Sequence, residues 1–364
     1  MIQFNVEEFR ADFAKALATR PEVEKIVETV EKRGYDNLVF IGVGGTEIEW
    51  RSVLDTLRGK FSCPVYLENA AEFCIREKLP YLTPRSLVIT SSVSGDTKEI
   101  VAAAKLCKDR GIELLGFTKH PQTPLGQLLT YFIPMDSPNC DTMFAQYFML
   151  VLALLEKRGD YDGYSRWIAQ MANAADGLIA IREKFDATAD KLARKYHKAP
   201  YSIWTGSGAM WSSVYLFAMC LLEEMQWVRT RPVTSADFFH GTLELVEDGV
   251  PVFCVKGVGE SRVLDQRVQD FCEKYQVTDS FVVIDTADFS LPGVSDEFRE
   301  ITSILAFSAA VCDRLSKQYE HYTGHSLAFR RYYRHWSTNL HNVSARFSGI
   351  LLLFDGFQNI ISLR

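Results

Sequence analysis

The sequence predicts an α/β protein in which two parallel sheets are each covered by helices. Short apolar runs, each about the length of one strand, alternate with longer segments of helical periodicity. Runs that are apolar throughout indicate strands buried on both faces, which is typical of parallel sheets. The pattern occurs twice, and a leading run ends in glycine each time, at Gly42 and at Gly206. We therefore expect two flavodoxin-like halves.

The first half is preceded by an amphipathic segment at 4–33, which predicts helices. Five apolar runs then predict five strands, at 38–41, 65–67, 87–90, 114–117 and 131–133. Helices are expected between them, from about Glu47 and over 98–110. These helices should cover both faces of a first sheet.

The second half follows a long helical stretch at 143–198, which is broken near Gly159. Strands are predicted at 201–205, 251–256 and 280–285, and helices at 211–227 and 299–318. The 364 residues suffice for two domains. The predicted division is N-terminal helices at 1–34, a first domain at 35–150, a helical connector at 151–198, a second domain at 199–325 and a tail at 326–364.

Composition argues against several classes of protein. The net charge of −6 is unlike that of nucleic-acid binders, which usually carry a basic face. The apolar run at 350–354 is too short to span a bilayer, and the first residues lack the pattern of a secretory signal. The eight cysteines are scattered without CxxC spacing. We expect a cytoplasmic protein with reduced cysteines and no membrane or nucleic-acid partner.

Two loops that follow predicted strands could bind a phosphate, because ligands of doubly wound sheets lie beyond the carboxyl ends of the strands. The loop at 91–97 precedes a helix, whose first N–H groups and dipole favour an anion. Its hydroxyl groups are Ser92, Ser94 and Thr97. The loop at 42–46 adds Thr46 and glycines that let the backbone approach a ligand. The alternative for 91–97 is simple N-capping of the helix.

Two side chains in the second half could carry acid–base chemistry. Glu224 ends an apolar helix beside Met225 and Trp227, where a carboxylate is partly shielded from water. His240 lies between aromatic residues and a glycine in the segment ADFFHG. The alternatives are a solvated glutamate at a helix end and a structural histidine.

The sequence predicts no cofactor and no metal. Neither glycine-containing loop has the dinucleotide fingerprint, and the glycine–lysine loop of nucleotide-binding proteins is missing. His321 and His325 have the i, i+4 spacing of zinc ligands. However, Gly324 lies between them and no third ligand is evident.

Together these segments resemble the sugar isomerase (SIS) domain family over about residues 35–335. The resemblance rests on SSVSGDT at 91–97, on GVGGT at 42–46, and above all on EEMQW followed by TSADFFHGTLELVEDGVP. The last pair is similar to bacterial deglycases that act on 6-phosphorylated fructosamines, of the fructoselysine and fructose-asparagine types. It is also similar, more remotely, to the isomerase half of glucosamine-6-phosphate synthase.

The resemblance implies roles for individual residues. It implies that the sugar phosphate is held by Thr46, Ser92, Ser94 and Thr97, supported by Gly44, Gly45, Val93 and Asp237. It implies that Glu224 and His240, sixteen positions apart as in the family, are catalytic. It also implies a homodimer or higher homo-oligomer with a shared active site, in which the neighbouring subunit can contribute the histidine.

The sequence departs from the family pattern at a few positions. Asp237 stands where glutamate is usual, Thr242 where proline is usual, and Thr46 where serine is commoner. Near the C-terminus Arg330 fits the expected basic residue, but His335 falls where lysine is usual. These differences concern the substrate and leave the implied reaction type unchanged.

The implied reaction is the cleavage of a 6-phosphorylated fructosamine. Glu224 would move a proton from C1 to C2 through an enolamine while His240 assists ring opening. Water would then cleave the aldose imine to glucose 6-phosphate and an amino acid. Two alternatives stay open: an aldose–ketose phosphosugar isomerase, and a non-catalytic sugar-phosphate sensor. The first thirty residues are too short for a helix-turn-helix module, which argues against a DNA-binding sensor.

Overall fold

The computed structural model describes residues 1–275 and 280–332. Most of the predicted tail at 326–364, including His335, therefore lies outside the described residues. No helix within the described ranges is long and apolar enough to cross a membrane. The domain boundaries given above remain predictions.

The first sheet has five parallel strands in the order β2-β1-β3-β4-β5. Their bounds are β1 Asn37–Gly42, β2 Val65–Asn69, β3 Ser86–Ser91, β4 Leu114–Thr118 and β5 Tyr131–Pro134. All five coincide with predicted strands, and every residue of β1 and β3 is buried. The order reverses between β1 and β3, as in flavodoxin-like sheets, so their carboxyl ends flank the expected ligand crevice.

Helices cover both faces of this sheet, as predicted. Those of the first half are α1 Val6–Leu17, α2 Arg20–Arg33, α3 Gly45–Thr56, α4 Ala70–Ile75, α5 Lys98–Asp109 and α6 Cys140–Arg158. Alternate residues of β1 point to opposite faces: Phe40 packs in the core with α2, α3 and α6, and Val39 packs with α4 and α5.

The second sheet has four parallel strands in the order β7-β6-β8-β9. Their bounds are β6 Ser202–Gly206, β7 Thr230–Thr234, β8 Val252–Lys256 and β9 Phe281–Asp285. The sequence did not predict β7, because it contains Arg231 and Pro232 and has no apolar run. Its place at the edge of the sheet explains the composition, since proline is tolerated in an edge strand.

The second half is also helical around its sheet. Its α-helices, with those of the connector, are α7 Tyr164–Gln170, α8 Ala174–Tyr196, α9 Gly208–Leu216, α10 Arg262–Lys274, α11 Arg299–Phe307 and α12 Ser316–Thr323. α9 continues as a π-helix over Phe217–Gln226, which ends at Trp227 in the left-handed conformation. A second π-helix, Ser308–Leu315, joins α11 to α12. The predicted α/β fold with two parallel, helix-flanked sheets is confirmed.

α3 and α9 pack against each other in opposite directions and so set how the halves meet. The Ser52 hydroxyl, late in α3, donates to the carbonyl of Ala209 at the start of α9, at 3.1 Å. At the other end, a Cβ placed on Gly45 would lie 3.7 Å from Cys220 Sγ. The carboxyl edge of the first sheet therefore faces the π-helix that carries Glu224.

Candidate active site

The loop after β3 is a closed turn lined with hydroxyl groups. The Ser92 and Thr97 hydroxyls lie 2.9 Å apart, and the backbone N–H of Gly95 donates to Ser92 Oγ at 3.1 Å. Gly95 has φ +69°, and a Cβ there would come within 2.5 Å of Thr118 and Thr123 side-chain atoms, so only glycine fits. Thr97 is the N-cap residue of α5 but makes no side-chain cap hydrogen bond. The N-capping alternative is therefore wrong for Thr97, and the first N–H groups of α5 are not occupied by it.

The loop after β1 lies beside it. Thr46 Oγ1 is 3.1 Å from both the nitrogen and the oxygen of Val43, which fixes the loop internally. Gly44 has φ +56°, and no atom lies within 4 Å of a Cβ placed there, so the loop faces open space at this residue. Because β1 and β3 are neighbours, the structure brings Thr46 together with Ser92, Ser94 and Thr97 at one edge of the sheet. Ser94 donates to Asp96 at 2.5 Å within the loop.

Glu224 reaches the same edge from the second half. Cys220 lies one helical turn before Glu224. A Cβ placed on Gly45 would lie 3.7 Å from Cys220 Sγ and 3.6 Å from the Leu216 side chain. Burial raises the pKa of the Cys220 thiol, and the Glu224 carboxylate is the nearby charge that adds most to this rise. Glu223, in contrast, is exposed and accepts a hydrogen bond from Thr230 Oγ1 at 2.5 Å. Of the two glutamates, Glu224 is the one whose charge acts on Cys220, the residue that approaches Gly45 of the first half.

Arg330 is the partner of Glu224, a pairing that was not predicted from the sequence. Arg330 Nε lies 2.5 Å from Glu224 Oε1, and the two side chains are 17% and 30% exposed. The segment that carries Arg330 is anchored on the end of the π-helix, where His325 Nδ1 lies 2.9 Å from the carbonyl oxygen of Gln226. The guanidinium of Arg331 lies 3.4 Å from the ring centroid of Trp227. The sequence separation of 106 positions between Glu224 and Arg330 explains why local sequence patterns could not pair them.

His240 is not part of this cluster within one chain. It is exposed, in a 3-10 turn that follows β7, and makes no hydrogen bond or ion pair with the residues that the structure describes. Glu224 precedes β7, whose five residues span about 16 Å. The two side chains therefore lie towards opposite ends of this strand. His240 borders a separate cavity of about 370 Å³ with Arg231 and Asp237, and Asp237 accepts a hydrogen bond from Thr234 at 2.9 Å.

The two histidines considered as zinc ligands have other surroundings. The rings of His321 and Tyr322 are in contact, and the His325 ring is tilted by 40° against the Trp227 ring at a centroid distance of 3.9 Å. In the parts of the chain that the structure covers, no three or more His, Cys, Asp or Glu side chains are grouped as metal ligands would be.

Glu49 is a buried carboxyl group beside the candidate site that sequence reasoning missed. It lies in α3, one turn beyond Gly45, and is 3% exposed. The Tyr147 hydroxyl donates a hydrogen bond to Glu49 Oε2 at 3.4 Å. Burial raises the pKa of Glu49 to about 8, and the Tyr147 hydrogen bond opposes this only in part. A single acidic residue in a helix gives no sequence signal for this environment.

We expect the stability of the Glu49→Gln variant to fall less steeply than that of the wild type between about pH 5 and 8. In that range the folded protein keeps a proton on Glu49 that the unfolded chain has released. The contribution of Glu49 to stability should therefore be fully present below its unfolded pKa and fall by about 1.4 kcal/mol of unfolding free energy per pH unit as the pH rises towards 8. Urea unfolding at pH 5, 6, 7 and 8 measures this slope.

The control for this prediction is Glu68→Gln. Glu68 is also buried, but it is bound by Arg76 and accepts a hydrogen bond from Tyr81 at 2.6 Å. Its replacement removes an ion pair and should lower stability at every pH tested. Equal slopes in the wild type and in Glu49→Gln would contradict the assignment of the pH dependence to Glu49.

Comparison with known proteins agrees with this architecture. Residues 61–156 match the family described as the SIS domain. Fructosamine deglycase FrlB of Bacillus subtilis (strain 168) is 27% identical over 323 residues, 85% of this chain and 95% of that protein. Fructoselysine 6-phosphate deglycase of Escherichia coli (strain K12) is 28% identical over 279 residues, 74% of this chain and 79% of that protein. Residues 61–156 of the chain thus resemble a SIS domain.

Two further relatives extend the comparison. The isomerizing glutamine–fructose-6-phosphate aminotransferase of Pyrococcus horikoshii is 25% identical over 294 residues, 78% of this chain but only 47% of that protein. A crystal structure of a Bacillus subtilis protein provisionally described as a phosphosugar isomerase has the same fold. Its TM-score is 0.81 at 22% identity, over 89% of this chain and 100% of that one. The resemblance to SIS-domain deglycases and to the aminotransferase is confirmed.

Proposed function

We propose that the protein is a deglycase that cleaves a 6-phosphorylated fructosamine to a hexose 6-phosphate and a free amino acid. One observation carries this proposal: two hydroxyl-lined loops of the first sheet and Glu224 of the second half meet at one edge of the fold. The protein is an enzyme of the phosphosugar deglycase and isomerase class, as the names of its relatives indicate. Its eight free cysteines agree with a place in the reducing cytoplasm.

The phosphate is bound by the loop after β3. Hydroxyls of Ser92, Ser94 and Thr97 and the first N–H groups of α5 are donors suited to a phosphate dianion, and the helix dipole adds to the attraction. Thr46 and Gly44 of the neighbouring loop border the sugar, where the open space beside Gly44 leaves room for it. Val93 and Gly45 support these loops through their backbone.

Glu224 carries the proton transfer. As a carboxylate it takes a proton from C1 of the ring-opened ketosamine while the C2 oxygen is protonated, which gives an enolamine. It then returns its proton to C2 as the nitrogen releases a proton, which gives the aldose imine. Water adds to the imine at C1, the C–N bond breaks, and the amino acid leaves with the proton on its nitrogen. Arg330 orients the Glu224 carboxylate through an ion pair in which Nε lies 2.5 Å from Oε1. These steps are acid–base chemistry and use no redox cofactor.

His240 acts in the site of a partner subunit. Within one chain it lies far from Glu224, yet it is exposed and free to enter another chain's site. In a symmetric homodimer each His240 would complete the site that holds the partner's Glu224. Asp237, one turn earlier, would position the turn that presents this histidine.

A coupled assay for glucose 6-phosphate tests the proposal. The purified protein is incubated with 6-phosphofructosyl adducts of several amino acids and with fructose 6-phosphate and other hexose phosphates alone. We expect release of glucose 6-phosphate from at least one adduct at a rate far above that of the buffer. Interconversion of hexose phosphates without cleavage of any adduct would favour an isomerase, and binding without turnover would favour a sensor.

A further inference from the structure

The order of the strands gives the direction in which a bound ketosamine extends. The phosphate loop follows β3, and Gly45, which faces Cys220 and the Glu224 helix, follows β1. A line from β3 through β1 continues to β2, in steps of about 4.8 Å. The six-carbon chain from phosphate to C1 covers roughly two such steps. The group attached to C1 should therefore lie over the carboxyl end of β2 and the adjoining side of α3.

Charged and polar side chains of α3 and β2 lie there. Asn69 ends β2, and its amide donates to Glu47 Oε2 at 2.7 Å. The Oδ1 atom of Asn69 accepts from the backbone of Ala71 at 3.0 Å, which fixes the Asn69 side chain. Arg51 Nη2 lies 2.8 Å from Glu47 Oε1, and the two residues are one helical turn apart in α3. Glu47 is thus held in place with its side chain 19% exposed, while Arg51 is 48% exposed and open to a ligand.

An aromatic pair on α9 borders the same place. Trp211 and Tyr215 stack with ring centroids 5.7 Å apart, and both are partly exposed. Burial raises the pKa of the Tyr215 hydroxyl; Cys220 and the carboxylates of Glu223 and Glu47 raise it further, and Arg51 opposes them. Tyr215 lies on α9, which packs against α3 and continues into the π-helix that carries Glu224.

We propose that Glu47, Arg51 and Tyr215 form the subsite for the amino-acid portion of the substrate. The proposal rests on the proposed deglycase function and adds what determines specificity. Arg51 binds the carboxylate of the amino acid, and Glu47 accepts a hydrogen bond from the protonated secondary amine on C1. Tyr215 contacts the carbon chain of the amino acid.

The short distance between the Glu47 carboxylate and the Arg51 guanidinium limits which substrates can bind both groups. Glu47 and Arg51 are in direct contact, so the amine and carboxylate that they bind must also be close together. In an adduct through the α-amino group a single carbon separates these two groups. In an adduct through a distant side-chain amine they lie several carbons apart. The subsite therefore favours 6-phosphofructosyl adducts formed at an α-amino group over adducts of amines that lack a nearby carboxylate.

Binding and turnover are measured separately to test this. Dissociation constants are determined by calorimetry in Glu224→Gln protein, which binds without consuming the ligand. The probes are the 6-phosphofructosyl adducts of glycine and of propylamine, which differ mainly in the carboxylate. Arg51→Gln is added to this background, and Arg58→Gln is the matched control. Arg58 is also an exposed arginine, paired with Asp55 at 2.6 Å near the far end of α3.

Arg51→Gln should weaken binding of the glycine adduct about 10- to 100-fold and change binding of the propylamine adduct less than about two-fold. Arg58→Gln should change neither. Glu47→Gln should weaken both adducts, because both contain the secondary amine. Equal weakening of both adducts by Arg51→Gln, or no weakening, would overturn the subsite.

The two proposals can fail independently. Absence of glucose 6-phosphate release by the wild type, with Arg51-dependent binding of the glycine adduct, would refute the deglycase function and leave the subsite supported. The opposite result is also possible. Release of glucose 6-phosphate, with binding and KM values for the glycine adduct that Arg51→Gln does not change, would support the deglycase function and refute the subsite.

Discussion

Glu224→Gln is expected to lower the turnover number by a factor of about 10² to 10⁴, or more, with little change in substrate binding. The amide has almost the same shape as the carboxylate and still faces Arg330, but it cannot take the C1 proton. Glucose 6-phosphate release under saturating substrate measures the effect. The matched control is Glu223→Gln, the exposed neighbour bound to Thr230, which should keep activity within about two-fold.

His240 extends this prediction to the assembly. We expect His240→Asn to be nearly inactive as well, although the side chain lies far from Glu224 in one chain. Mixing inactive Glu224→Gln and His240→Asn proteins should then restore about a quarter of wild-type activity. Half of the dimers would be mixed, and each mixed dimer would have one intact site of two. Full activity of both single variants would refute their assignment, and absence of restoration despite proven subunit exchange would refute the shared site.

Arg182→Met is expected to lower the free energy of unfolding by about 3–5 kcal/mol. Arg182, in α8, is fully buried and binds Asp141 of α6 at 2.8 Å and Asp313 of the second π-helix at 2.6 Å. Its guanidinium also lies 4.2 Å from the ring centroid of Phe9. Methionine fills similar space but leaves two buried carboxylates without this cation. Urea unfolding followed by circular dichroism measures the loss.

Two further variants test the reason for this loss. Arg166→Met removes an arginine that is 45% exposed and bound to Asp162 and Glu297, and should cost less than about 1 kcal/mol. Adding Asp141→Asn to Arg182→Met should recover part of the stability, because it removes one unpaired buried charge. An equal loss of unfolding free energy in Arg182→Met and Arg166→Met would show that the buried ion pairs of Arg182 do not stabilise the fold more than exposed ones.

The sequence predicted secondary structure correctly where buried residues form a short local pattern, such as a continuous apolar run. Each strand of the first sheet contains a short apolar run, and the structure places all five strands where these runs occur. β7 escaped prediction because an edge strand needs no continuous apolar run. The π-helix escaped prediction too: its apolar residues repeat much as in an α-helix, and the change of hydrogen bonding that defines it leaves little trace in composition.

The sequence by itself determined the α/β class, the two hydroxyl-lined loops and the two candidate catalytic residues, because each is a local pattern of residue types. Only the tertiary structure decided which of them meet. The antiparallel packing of α3 on α9 brings Gly45 to the Glu224 helix, and the folded-back segment brings Arg330 to Glu224. The same packing buries Glu49 and leaves His240 at the far end of β7. Burial and the pairing of charges depend on distances between residues far apart in the chain, which local sequence patterns do not contain.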